Sequence, residues 1–269
     1  MARFTFRTAC VVLACLSAPA GPSVARAGTL PADPLNSVMW EDMAARFLPG
    51  GPIVFDQRVK VLMPRAAEDQ FFVPVTVDAS ALGPVSEIIV LADLNPIPHV
   101  LTFRPEAAEA FISFRVKIEQ ATVIRAAART PDGTWHLGGN LIDAAGGGCT
   151  APALAHGEVN WMARLGQTRV QAVREASGTA RVALRMRHPM DTGLADGIPA
   201  FYLSNLAMKG AAGNTIAVLE LFEPVSENPT FTVKPRLGPA AETLSVLARD
   251  TEGNVYGYDV SVPAAGAGN

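Results

Sequence analysis

Hydrophobic and polar positions along this chain change period twice. Between Asp33 and Phe47 the apolar side chains Leu35, Met39, Met43 and Phe47 recur every four residues, which places them on one helical face. One amphipathic helix is predicted there, stopped hard by Pro49-Gly50-Gly51-Pro52. Trp40 is expected to pack on the sheet that follows. From residue 54 to 142 the period shortens to two. Short runs at 59–63, 71–78, 87–92, 100–103, 111–119, 122–129 and 134–142 are punctuated by turn residues such as Asn95-Pro96 and Pro131-Asp132-Gly133. Phe111, Ser113, Arg115 and Lys117 alternate with Ile112, Phe114, Val116 and Ile118. About seven strands at this spacing predict a β-sandwich of immunoglobulin size.

A second β set follows at 179–186, 200–208, 214–222, 230–233, 243–248 and 255–262, with separators His188-Pro189-Met190, Glu227-Asn228-Pro229 and Glu252-Gly253-Asn254. The predicted fold class is all-β: two immunoglobulin-like β-sandwich domains with an N-terminal helix on the first. The expected layout is a leader at 1–27, a first domain ending in a cysteine arm at 28–149, a connector at 150–177, a second sandwich at 178–263 and a tail at 264–269. The connector carries Trp161, Met162, Leu165, Val170 and Val173. A loose linker and a packed strand or helix both remain open for it.

The start of the chain fits neither pattern. Arg3 and Arg7 precede an apolar run from residue 8 to 20 and a small-x-small site at Ala25-Arg26-Ala27, the marks of a signal peptide and too short for a membrane span. Export to the periplasm is expected. Val12-Leu13-Ala14-Cys15 loosely resembles a lipoprotein box, but Leu13 before Ala14 fits it poorly. The chain carries 22 basic and 25 acidic residues, a net charge of −3. Without the leader's three arginines the balance is 19 to 25, which argues against nucleic acid or anionic lipid as a partner.

Removing the leader also removes Cys10 and Cys15, leaving Cys149. That count rules out an internal disulfide, and the absence of C-x-x-C-H rules out covalent haem. Cys149 lies in Ala144-Ala145-Gly146-Gly147-Gly148-Cys149-Thr150-Ala151-Pro152. Three glycines offer a flexible, extendable backbone, and the piece 146–149 alone spans ~13 Å when stretched. An arm presenting an exposed thiol is expected, with backbone N–H groups nearby favouring thiolate. The alternative is a linker whose cysteine is incidental, since a free cysteine usually behaves as a small buried hydrophobe.

Catalytic signatures are missing from the sequence. It has no G-x-S-x-G elbow, phosphate-binding loop, C-x-x-C or H-E-x-x-H spacing. His99, His136, His156 and His188 are scattered and read as surface or turn residues, with His188 the one to examine further. Glu68-Asp69 reads as a solvated turn, and Met186, Met190 and Met208 as core rather than a copper site. No metal, cofactor or catalytic residue is expected. One thiol without a base suits a chain that carries a reacting group.

Several strings resemble the SoxY and SoxZ subunits of the periplasmic sulfur-oxidation carrier, joined in one chain. The first half resembles SoxY in Pro64-Arg65-Ala66-Ala67-Glu68-Asp69, Val73-Pro74-Val75, Asn95-Pro96 and the closing Gly146-Gly147-Gly148-Cys149. The second resembles SoxZ in His188-Pro189-Met190-Asp191-Thr192-Gly193, Ile198-Pro199-Ala200-Phe201-Tyr202 and Ser226-Glu227-Asn228-Pro229. Fused carriers of this kind look like those associated with quinoprotein alcohol dehydrogenases. The resemblance implies that Cys149 binds an intermediate of a sulfur compound such as thiosulfate covalently, that Gly146, Gly147 and Gly148 are the hinge, and that partner enzymes oxidise and hydrolyse the cargo. The implied partners are periplasmic sulfur-oxidation or quinoprotein dehydrogenase proteins and c-type cytochromes. The sequence departs from the family where Thr150, Ala151 and Pro152 replace the glycines after the cysteine and the chain continues, so the arm is tethered at both ends.

Two other readings remain open. One is a docking or chaperone-like module for a dehydrogenase or its cytochrome, with the thiol unused. The other is a thiol enzyme, which requires His156 or His188 beside Cys149.

Overall fold

The computed structural model describes residue 1, residues 30–175 and residues 179–266. The expected leader, apart from Met1, lies outside them. The single α-helix among the described residues, α1, runs from Trp40 to Phe47. The four-residue spacing predicts its start at Asp33, but the preceding residues form turns instead. Asn36 takes a left-handed φ of 52°, and the Asp33 carboxylate accepts the N–H groups of Leu35 and Ser37 at 3.1 and 2.9 Å. A side chain that satisfies nearby amides in this way competes with helix.

Fifteen strands follow among the described residues: β1 Ile53–Phe55, β2 Lys60–Leu62, β3 Val73–Asp78, β4 Glu87–Ala92, β5 His99–Arg104, β6 Ala108–Val116, β7 Thr122–Arg129, β8 Trp135–Ile142, β9 Thr168–Arg174, β10 Ala180–Met186, β11 Leu203–Lys209, β12 Thr215–Leu221, β13 Thr230–Pro235, β14 Glu242–Asp250 and β15 Val255–Val262. They form a nine-stranded sheet ordered β1-β8-β7-β4-β5-β12-β11-β14-β15 and a six-stranded sheet ordered β2-β3-β6-β13-β10-β9. The all-β sandwich expected from the period-two runs is present in both halves. The halves also share their sheets. β5 pairs antiparallel with β12, Leu101 opposite Leu221, and β6 pairs antiparallel with β13, Ser113 opposite Thr232.

Both sheets bury their facing sides in one core that runs from Val59 to Val262. The outer face of β4, β7 and β8 is covered too. Trp40, Met43, Ala44 and Leu48 of the α1 segment pack there on Ile89, Leu91, Ala127, Trp135 and Leu137. That second layer explains why β4 and β7 read as nearly continuous apolar runs. Trp40 packs on the sheet as expected.

Arg125 of β7 sits fully buried on this outer face. Its guanidinium donates to Asp33 at 2.8 and 3.1 Å and to Asp93 at 2.9 Å, and lies 4.6 Å from the centre of the Trp40 ring. Burial works to raise the Asp33 pKa. The Arg125 hydrogen bond and the amides of Ser37 and Leu35 outweigh it and hold the carboxyl below its ordinary 3.8.

The connector packs against the second half. Two 3-10 turns, Leu154–Gly157 and Trp161–Arg164, lead into β9, which pairs with β10 from Thr168 opposite Met186 to Arg174 opposite Ala180. Among the described residues no helix is long and apolar enough to cross a membrane.

Arg125→Ala is expected to lower unfolding stability by about 3–5 kcal/mol, because two buried carboxylates lose their counter-ion. Urea denaturation followed through Trp40 fluorescence measures it. Because the Asp33 pKa is depressed in the folded state, its contribution is present above pH ~4 and is lost as the pH falls through the folded value. The variant should lack that acid-dependent loss.

Candidate functional site

Cys149 lies where the two halves meet, and its backbone is bound on every side. After β8 the chain turns through Gly146 and Gly147, whose φ values are 106° and 87°. It then runs beside the end of β6. Gly147 N–H donates to Glu119 O at 3.2 Å and Gly148 N–H to Ile118 O at 3.1 Å. The Glu119 carboxylate accepts the N–H groups of Cys149 and Thr150 on one oxygen, at 2.9 and 3.2 Å, and the Thr150 hydroxyl on the other at 3.1 Å. Asn95 steadies this ledge. Its amide donates to Lys117 O at 2.8 Å and its oxygen accepts Glu119 N–H at 3.0 Å. From the second half, the Thr192 hydroxyl donates to Cys149 O at 2.6 Å.

The thiol is 2% exposed and donates to Lys117 O at 3.6 Å. The structure therefore corrects the expectation of an exposed, extended arm. In this docked arrangement two of the three glycines serve close approach. A Cβ on Gly148 would lie 2.5 Å from both Gln70 O and Ile118 O, and one on Gly146 would lie 2.8 Å from Glu119 O; Gly147 alone faces open space.

The electrostatics also reverse the expectation. Burial pushes the Cys149 thiol up to about 12, Lys117 opposes this and Glu119 adds to it. The docked sulfur is thus a neutral thiol at neutral pH. Lys117 is buried beside it, and burial lowers its pKa to about 8 against the pull of Cys149, Asp191, Glu227 and Glu223. Its Nζ donates to Met190 O, so one side chain ties the ledge under the thiol to the second half.

Residues 188–193 are the matching surface. Met190 takes a left-handed φ of 54°, donates its N–H to His188 Nδ1 at 3.2 Å, and accepts Leu203 N–H on sulfur at 3.3 Å. His188 is buried, and burial lowers its pKa to about 4 despite attraction from Asp250, so its ring is neutral. On the far side of Cys149 the connector is pinned as well. Leu154 N–H donates to Glu227 Oε2 at 2.6 Å, and His156 Nε2 lies 2.9 Å from Asp191 Oδ1.

Among the described residues no histidine bonds Cys149. His156 and His188 are engaged as above, His136 meets Asp56 at 2.8 Å, and His99 stacks on Phe222 at 3.9 Å. Asp69 caps its own turn by accepting Phe71 N–H at 2.8 Å, and Met186, Met190 and Met208 are buried in the main core. Of the docking residues, Lys117 and Glu119 were not singled out from the sequence, and Asn95 and Thr192 stood only inside the family-like strings with no role assigned. Lys117 in particular follows an alternation that assigns it to solvent.

Residues 44–149 match the family model described as sulfur oxidation protein SoxY, and residues 168–261 the one described as sulphur oxidation protein SoxZ. Among solved structures, the sulfur carrier protein SoxY from Chlorobium limicola f thiosulfatophilum is 23% identical, covers 39% of this chain and 93% of its own, and has a TM-score of 0.34. Fibronectin(III)-like modules of Clostridium thermocellum CbhA are 11% identical, covering 77% of this chain and 94% of their own, with a TM-score of 0.24. No curated protein matches the chain.

In the native protein the thiol is expected to react with an alkylating agent far more slowly than in urea. Gly148→Ala should weaken docking by roughly 1–3 kcal/mol of overpacking and speed labelling by about 5- to 150-fold. Timed alkylation read by mass spectrometry checks both, and equal rates in the variant and the wild type would count against the tight-fit account of Gly148.

Proposed function

The chain belongs to the SoxY and SoxZ families of sulfur-oxidation carrier proteins, fused in one polypeptide, and from that premise we propose that Cys149 is its covalent attachment point. The observation that carries this reading is the docking of the thiol at the seam, where SoxY-type and SoxZ-type residues close over it together. The empty carrier keeps its thiol neutral and covered. Loading requires the 146–150 turn to leave the Glu119 ledge, where the sulfur regains an ordinary pKa near 8.5. Gly146, Gly147 and Gly148 are the hinge of that movement.

In the loading step with thiosulfate, the Cys149 sulfur and the terminal sulfur of the anion join in an S–S bond. One proton leaves the thiol and two electrons pass to a c-type cytochrome partner. The adduct is too large for the space that a 2%-exposed thiol occupies, so loaded protein stays undocked and presents its cargo to oxidising and hydrolysing partners. The leader expected at 1–27 supports a periplasmic setting for these events, and a quinoprotein dehydrogenase system is the proposed setting.

Burial of Cys149 favours one second reading, a docking module for a periplasmic quinoprotein dehydrogenase or its cytochrome in which the thiol goes unused. Intact mass of the protein purified from its periplasm, with and without reductant, separates the two. A reductant-sensitive increment on the Cys149 peptide, absent from a folded Cys149→Ser variant, is the expected result. An unmodified thiol together with full activity of Cys149→Ser in cells would replace the carrier by the docking module.

A further inference from the structure

A one-sided cluster of charge lies away from Cys149, at the edge of the six-stranded sheet. Arg169 of β9 stands directly opposite Arg185 of β10, and both side chains point outward and are exposed. The pairing continues past the strand ends, with Arg187 N–H donating to Gln167 O at 2.8 Å. Arg187 and Gln167 therefore extend the same outward face. Arg164 closes the far side from the end of its 3-10 turn. Together with Thr168 these side chains line one open cavity whose walls contain four arginines and no carboxylate.

Like charges directly opposite one another destabilise a sheet. Arg169 and Arg185 have no ion pair among the described residues. The other two arginines share a single carboxylate just outside the cavity lining, since Glu158 Oε2 lies 2.5 Å from Arg187 Nη2 and 3.5 Å from Arg164 Nη1. An oxygen anion of the protein's own thus serves one half of the cluster, and the other half has none. The basic surface also ends abruptly. Across from each other in the next outward positions are Gln171 and Ala183, and beyond them Arg181 is already neutralised by Glu175 at 2.6 Å. A patch this compact suits one small anion better than an extended acidic segment.

We propose that this cavity binds a small, multiply charged oxyanion of the sulfate type, gripped by Arg169 and Arg185 and competing with Glu158 for Arg187 and Arg164. Guanidinium groups present paired N–H donors that match two oxygens of such an anion. The site stands independently of what Cys149 carries.

Isothermal titration calorimetry of the full chain with sodium sulfate and with sodium thiosulfate, at ionic strength fixed by sodium chloride, tests it. Saturable heat is expected in the wild type, weakened at least about tenfold in the double variant Arg169→Gln/Arg185→Gln and strengthened in Glu158→Gln. Both double-variant positions are exposed, so its fold should hold, and relief of the opposed charges should raise its melting temperature in sulfate-free buffer. Sulfate stabilises most proteins by exclusion, so thermal shifts are read as the difference between wild type and variant. Absence of saturable heat, or the same heat in the double variant, overturns the proposal. Saturation by a glutamate-rich peptide but not by sulfate or thiosulfate overturns it in favour of a protein-docking surface.

Discussion

Two strand pairings hold the rest of this molecule in place: β5 with β12 and β6 with β13. They carry each sheet across the junction between halves and align Phe103 with Leu219 and Ile112 with Val233 around one core. A slip of one residue would turn every inward side chain outward, so the register is strongly fixed. That register brings residues 188–193 of the second half against Lys117 and Cys149 of the first. The seam is a product of sheet geometry before it is a site.

At the seam two effects oppose each other over the cysteine. A buried ammonium beside a thiol favours thiolate, and burial itself favours the neutral form. Burial wins, because the sulfur sits at about 12 and Lys117 has itself been drawn down to about 8. The lysine serves the structure through its bond to Met190 O and through its own carbonyl, which accepts the thiol. Burial, more than the charge next to the sulfur, therefore sets the protonation of the docked thiol.

Much of the sandwich was legible in the sequence, because alternation along β6 and β10 follows directly from having one buried face. Which strand lies beside which was not legible, since a period of two names no partner. The helix was overextended because Leu35 keeps the apolar spacing while Asp33 and Asn36 break the backbone geometry. β9 was hidden by its weak inward face of Val170 and Ala172. The glycines at 146–148 were the hardest to read. The same residue type serves a backbone that must move and one that lies so near another carbonyl that a Cβ would clash with it, and only coordinates distinguish the two. Lys117 was misplaced because β6 ends at Val116, one residue before its side chain turns inward.

The pins on either side of the cysteine set a distance. Asp143 is held to Arg65 and Ala67 by backbone bonds of 2.9 and 2.8 Å, and Leu154 is held to Glu227. An opened span is a closed bow with Cys149 near its apex, five residues from the nearer pin. At full stretch it carries the Cys149 Cα ~17 Å from Leu154, with the sulfur one short side chain beyond. In the proposed carrier role, a reacting centre much deeper than that would be out of range, which would favour shallow, wide-mouthed clefts able to admit two strands of backbone side by side.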